Sequence, residues 1–156
     1  MGHSNHPIDR FLELLASAGV EVIADVRRFP GSRRNPQFGA KELAASLEGA
    51  GIAYEPFGEE LGGRRSSRKP AADSPWRNAA FAAYAEYMES DAFAAGLERL
   101  EETASSRRTA VMCAEGLWWR CHRRLIADAL RRRGWDVRHL MPDGRLAPHP
   151  DTLELE

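Results

Sequence analysis

Two thiols, an imidazole, a carboxylate and three arginines fall within one stretch of fourteen residues, Val111 to Arg124. It reads Val-Met-Cys113-Ala-Glu115-Gly-Leu-Trp118-Trp119-Arg120-Cys121-His122-Arg123-Arg124. Its first residues are strand-like and its last lead into a helix. Cys113 therefore sits at the carboxyl end of a strand, and Cys121 and His122 sit near a helix N-terminus, where the dipole and free amides favour negative charge. A thiol there gains thiolate character. Nucleophilic work by Cys113 or Cys121 is the chemistry this pattern suits, with His122 or Glu115 handling protons. Tyrosine phosphatases and rhodaneses share a strand-end cysteine under an arginine-bearing turn, but one residue more separates Cys113 from Arg120 than in their loop. Buried, inert cysteines fit the same residues, because free Cys is among the most buried types.

Other residues can join this group. Asp25 lies in the second half of an apolar strand and needs a partner there, such as Arg27, Arg28 or a backbone amide. A structural ion pair that holds the basic loop is its simplest role. His3 and Ser4 form a polar turn before the first helix, where capping competes with ligand contact. Arg33 and Asn35 lie in the loop after Asp25. A zinc site from Cys113, Cys121 and His122 with His3 or Asp25 lacks familiar ligand spacing, so no metal is expected.

The elements that must position these residues follow from periodicity. Ile8, Phe11, Leu12 and Leu15 make a first helix, and Val20 to Val26 a first strand. A polar loop with two prolines and two glycines runs from Arg27 to Gly39. Leu43, Leu47 and Ala50 make a second helix, and Ile52 to Phe57 a second strand. Gly58 to Pro75 is polar, Arg-rich and loop-like. Phe81, Tyr84, Ala85 and Met88 give a third helix, where Tyr84 packs between helices. Ser90 caps a fourth, carrying Phe93, Leu97 and Leu100. Thr109 to Cys113 is a strand. Leu125 to Leu130 is a helix ended by Gly134, and Trp135 to Leu140 is a fourth strand. The tail from Met141 reads as irregular.

This alternation implies an α/β domain over residues 1–156: three layers, with a mostly parallel sheet of about four strands and helices on both faces. Right-handed crossovers bring the strand-to-helix loops to one edge, where open α/β sheets bind ligands. Three basic clusters would meet there: Arg27 to Lys41, Arg64 to Lys69, and Arg120 to Arg124. Aromatic residues accompany them, among them Phe29, Trp76, Trp118 and Trp119. One of the adjacent tryptophans is expected in the core and the other at the pocket.

Length and composition set outer bounds. The chain has 156 residues, 43% hydrophobic and 29% charged, with a formal net charge of −1. That mix is globular rather than disordered. Two cysteines do not make a secreted disulfide framework, and no apolar run spans a bilayer. A cytoplasmic protein with no membrane partner is the expectation. Near-neutral charge argues against a general nucleic-acid binder.

Several of these motifs together resemble the bacterial and archaeal family known as domain of unknown function 488. They are Gly2-His3-Ser4-Asn5, Asp25-Val26-Arg27 with Phe29-Pro30, Ser32-Arg33, Asn35-Pro36 and Phe38, Leu61-Gly62-Gly63, Tyr84 to Met88, and Met112-Cys113-Ala114-Glu115 leading to Cys121-His122-Arg123. The resemblance runs from Gly2 to about Leu140. It implies an α/β fold and a site at His3, Ser4, Asp25, Arg27, Arg33, Asn35, Cys113, Glu115, Cys121, His122 and Arg123, without a reaction. It also implies a short apolar strand directly before Gly2, where this chain has only Met1. A sheet short of that strand would be closed by an exposed groove, by a partner chain through self-association, or by the tail. A chain extended upstream would be the more stable one.

Two functions follow as expectations. One is an enzyme on a phosphate-bearing or nucleotide-like small anion, with Cys113, Cys121, His122 and Glu115 doing chemistry. Binding would fall to His3, Ser4, Asp25, Arg27, Arg33, Asn35 and Arg123. The alternative is a nucleotide or nucleic-acid binding module without catalysis. A third arrangement, an internal charge network that orders long loops, fits the same composition.

Overall fold

The computed structural model describes residues 1–31, 33–66 and 78–150. Ser32, Arg68, Lys69 and Trp76 of the sequence reading lie outside them. The fold is α/β, and its centre is a three-stranded parallel sheet in the order β2-β1-β3. β1 is Val22–Asp25, β2 is Ala53–Pro56 and β3 is Thr109–Met112. Val22 stands level with Ala53 on one side and Thr109 on the other. All four residues of β1 are buried, as befits a central parallel strand that reads as a continuous apolar run.

Side chains alternate across a strand, and here the alternation sorts the core in two. Ile23 and Met112 belong to a cluster with Phe11, Leu14, Phe38 and Leu43. These come from α1 (Ile8–Ser17), a 3₁₀ turn (Pro36–Phe38) and α2 (Ala40–Gly49). Ala24, Val26 and Cys113 belong to the other cluster, with Leu61, Tyr84, Phe93 and Ile126. Those come from α3 (Gly58–Leu61), α4 (Ala79–Tyr87), α5 (Asp91–Ser106) and α6 (Arg123–Arg132).

The helix starts follow capping chemistry. Asn78 Oδ1 accepts from the amides of Ala80 and Phe81, and Ser90 Oγ accepts from that of Phe93. Positive φ at Gly19, Gly51 and Gly134 lets the chain turn sharply after α1, α2 and α6.

Three local expectations need correction. The polar stretch after Phe57 is not all loop: it opens with α3, because Leu61 is an apolar anchor that is fully buried. Trp135 to Leu140 supplies no fourth parallel strand. Only β4 (Arg138–Leu140) forms, and it pairs antiparallel with β5 (Leu146–Pro148). The tail is thus partly ordered, because residues 141–145 make a turn, closed by Met141 and Gly144, that folds it back as a hairpin.

Beyond β3 the sheet continues only as a stub. Gly2 makes a parallel bridge to Cys113. The Met1 carbonyl accepts from the Cys113 amide, and the His3 amide donates to the Cys113 carbonyl. Next to this stub lies a cavity of about 630 Å³, lined by Thr109, Val111, Leu100, Ile126, Trp135 and His139 among others. No helix among the described residues is long and apolar enough to cross a membrane.

Candidate functional site

Asp25 and Cys113 sit near the carboxyl ends of adjacent strands, yet they face opposite ways. Each becomes the centre of its own cluster.

The Asp25 cluster is a closed network. Asp25 is 1% exposed and Arg27 8%. Arg27 Nε donates to both carboxylate oxygens at 2.9 and 3.1 Å, and Nη2 adds a bond of 2.7 Å. The Arg27 amide donates to Asp25 Oδ1, and Tyr54 Oη donates to Oδ2 at 2.6 Å. Arg27 Nη1 reaches the Phe38 carbonyl at 2.6 Å and lies 3.4 Å from His3 Nε2. His3 stacks on the Phe38 ring at 4.3 Å, and burial lowers its pKa. Burial, reinforced by the hydrogen bond to Asp25, pushes the Tyr54 hydroxyl pKa well up. Every guanidinium nitrogen of Arg27 thus has a partner, and the carboxylate accepts from four donors. Such a pair ties Arg27 to Phe38, the two ends of the basic loop.

The cysteine cluster is built differently. Cys113 follows β3 and is buried, while Cys121 is half-buried just before α6. Their sulfurs are 3.2 Å apart. Cys121 Sγ accepts from the Arg123 amide at 3.4 Å and from Arg123 Nε at 3.3 Å. Arg123 is itself buried, and its Nη2 is anchored on the Glu115 carbonyl at 2.6 Å. Two N–H groups, one of them cationic, therefore aim at one sulfur. The hydrogen bond between the two sulfurs and the Arg123 charge lower the Cys121 pKa, while the same hydrogen bond and burial raise that of Cys113, so the pair favours negative charge on Cys121.

His122 closes the cluster on the side of β1. Its Nε2 lies 2.9 Å from the Val26 carbonyl. A carbonyl only accepts, so Nε2 carries the proton and Nδ1 holds the lone pair. Burial lowers the His122 pKa, so the ring is neutral at pH 7. The ring leans on Tyr84 at 5.1 Å. On its other side is Gly63, where a Cβ would come to 3.0 Å from Nδ1. Glu115 takes a loop-shaping role: its Oε1 accepts from the Leu117 amide at 3.0 Å, and its carbonyl holds Arg123.

Around this group the basic clusters meet in part. The guanidiniums of Arg28 and Arg64 lie 5.9 and 5.8 Å from the ring of Phe29, which is 64% exposed. Arg28 Nη1 is buried and has no hydrogen-bond partner. Arg65 is committed elsewhere, to the carbonyls of Gly58, Glu59 and Gly62 and to the Tyr87 ring. Arg33 is exposed, and the Asn35 carbonyl accepts from Phe38 within the 3₁₀ turn. Neither is drawn to the cysteines by any described hydrogen bond. Ser4 has φ of +47° and pairs its amide with the Ala114 carbonyl, which docks the Gly2–Ser4 turn on the loop after Cys113. Trp118 is half-buried and stacks on His139 at 4.3 Å, and Trp119 is exposed.

Several contributors carried weaker sequence signals. Tyr54 lies on the strand beside β1, level with Ile23 and on the same face as Asp25, so a strand-end acid with a tyrosine on the neighbouring strand was the available clue. Gly2 packs so closely on the Glu115 carbonyl that a Cβ would overlap it, and Gly63 makes room for His122. His139, His149 and Asp128 form a hydrogen-bonded chain with links of 2.8 and 3.1 Å, hidden in the sequence by spacings of 10 and 21 residues. Among the described residues, no group of three or more His, Cys, Asp or Glu side chains is placed to hold a metal ion.

No curated protein and no solved structure matches the chain. A family model described as domain of unknown function DUF488 matches residues 7–130, the span that holds both clusters apart from His3, and the chain belongs to that family.

Proposed function

We propose that the chain is an enzyme whose nucleophile is the Cys121 thiolate, acting on a phosphate-bearing or nucleotide-like anion at the carboxyl ends of β1 and β3. The observation that carries this reading is the placement of Arg123 Nε and the Arg123 amide at 3.3 and 3.4 Å from Cys121 Sγ. A structural thiol has no need of a buried guanidinium. A nucleophile does, because the charge stabilises the thiolate at neutral pH. Arg28 and Arg64 supply positive charge beside His122 and Gly63 for the anion. His122, held neutral on Val26, orients the start of α6 and keeps Cys121 in line.

Iodoacetamide alkylation of the reduced protein across pH, read by mass spectrometry, tests the nucleophile. Cys121 should react with a midpoint well below that of an ordinary thiol, and inorganic phosphate or adenosine monophosphate should slow it. An ordinary thiol midpoint at Cys121 overturns the reading.

One observation favours a second reading, a nucleotide or nucleic-acid binding module without catalysis. Phe29 is an exposed ring with two guanidiniums within 6 Å, an arrangement that suits base stacking beside phosphate. Titration with a fluorescent oligonucleotide separates the two: tight, salt-sensitive binding that survives Cys121→Ser supports the module.

A further inference from the structure

We propose that Cys113 and Cys121 form a reversible two-electron thiol–disulfide couple, in which Cys121 attacks a small anionic disulfide and Cys113 resolves the product. This rests on Cys121 being the nucleophile and adds what the second sulfur is for.

Distance is the first reason. The sulfurs are 3.2 Å apart, and a disulfide needs about 2.05 Å. Closing the bond takes about 1 Å of movement, within reach of side-chain rotation. The two cysteines also come from segments with different freedom. Cys113 is fixed by two backbone bonds, from its amide to the Met1 carbonyl and to its carbonyl from the His3 amide. Cys121 lies between a 3₁₀ turn (Trp118–Arg120) and α6, outside regular structure, and can adjust.

Exposure assigns the roles. Cys121 is half-buried and faces Arg123, whereas Cys113 is buried behind it. An incoming disulfide therefore meets Cys121 first. The Cys121 thiolate attacks one sulfur of R–S–S–R, forming a Cys121–S–S–R bond and releasing RS⁻. Capping Cys121 removes both its negative charge and its acceptance of the Cys113 hydrogen bond, two of the causes that held the Cys113 proton. Arg123 remains, and it favours the Cys113 thiolate. Cys113 gives its proton to water or to the departing RS⁻ and attacks Cys121 Sγ. The Cys113–Cys121 bond forms and the second RS⁻ leaves. The disulfide R–S–S–R is reduced by two electrons to two thiols, and the protein dithiol is oxidised by the same two. A reducing dithiol reverses the sequence.

The closed disulfide also has no thiolate for Arg123 to hold, so oxidation withdraws the nucleophile. The substrate class follows from Arg123, Arg28 and Arg64: a disulfide that carries carboxylates, such as glutathione disulfide, is favoured over a neutral one.

The test equilibrates the whole protein in buffers of reduced and oxidised glutathione, quenches with acid, and counts alkylatable thiols by mass spectrometry. The expected result is loss of both thiols together, with a mass lower by two hydrogens, and full recovery on adding dithiothreitol. Cys113→Ser should instead trap a glutathione adduct on Cys121; Cys113→Ala serves if the serine variant fails to fold. Cys121→Ser should leave Cys113 unmodified. Two free thiols in fully oxidised glutathione overturn the couple, as does a disulfide that forms only in urea. Either failure leaves the pH profile of Cys121 alkylation, and with it the nucleophile, untouched.

Discussion

His122 Nε2 donates to the Val26 carbonyl at 2.9 Å, and that single bond ties the start of α6 to the carboxyl end of β1. Val26 follows the buried central strand, so the ring is referenced to the most rigid part of the sheet. Cys121 is its neighbour in the chain, and Arg123 follows. The position of the thiolate is thus set through His122 as well as through the loop from Cys113.

Replacing His122 should therefore act on both stability and reactivity. His122→Ala removes a buried hydrogen bond and the contact with Tyr84, a loss of about 1–3 kcal/mol. It should lower the urea midpoint and raise the pH at which Cys121 becomes alkylated. A variant with the lower midpoint but an unchanged alkylation profile would show that His122 braces the fold without positioning Cys121.

The Asp25 network gives a contrasting expectation. Arg27→Met leaves a buried carboxylate unpaired and should cost about 3–5 kcal/mol. Tyr54→Phe removes one bond to that charged group and should cost about 1.5–3 kcal/mol. Because Asp25 faces the α1 and α2 side and Cys121 the other, Tyr54→Phe should leave the alkylation profile of Cys121 unchanged. Denaturation midpoints and alkylation rates on the same samples check both halves. A shifted profile in Tyr54→Phe would mean that the two clusters are coupled through β1.

That division marks how far the sequence was legible. Periodicity placed β1, β2, β3 and the main helices, because those segments carry strong apolar patterns of one period each. Ser90 announced the start of α5 by its type alone. The strand-end position of Cys113 and the helix-start position of Cys121 followed from the same patterns. The face each residue took was less visible: Asp25 and Cys113 share an edge, and only the parity of each strand separates them. Pairing was harder still. β4 looks like another sheet strand locally, but its partner β5 is a three-residue piece in a proline-bearing tail. The chain of Asp128, His149 and His139 depends on that hairpin, so no local spacing reveals it.

Close packing at two glycines sharpens the site. Gly2 has no room for a Cβ against the Glu115 carbonyl, the group that anchors Arg123. Gly2→Ala should push the Gly2–Ser4 turn off the loop, lower the melting temperature, and raise the pH needed to alkylate Cys121. Gly63→Ala brings a Cβ to 3.0 Å from His122 Nδ1, a contact the ring can relieve by a small tilt. Its effect should have the same direction and be smaller. Equal melting temperatures for wild type and Gly2→Ala would remove Gly2 from the machinery.

The buried imidazoles set the response to acid. His139 donates from Nε2 to His149 Nδ1, and His149 Nε2–H donates to Asp128 Oδ1. Burial above all lowers the His139 pKa to about 3. Burial also lowers the pKa of His3 and of His122. An unfolded histidine titrates near 6.5. Below that pH the unfolded chain binds protons that the folded chain does not, so stability rises with pH across this window. The contribution of His139 is fully present above about pH 6.5 and is lost as pH falls from there toward about 3. The histidine contribution to the urea midpoint should therefore drop steadily from pH 6.5 to 4.5. His139→Gln keeps a donor for His149 but has no titration, so its curve should fall less steeply. Parallel curves for wild type and His139→Gln would assign the acid response to other groups.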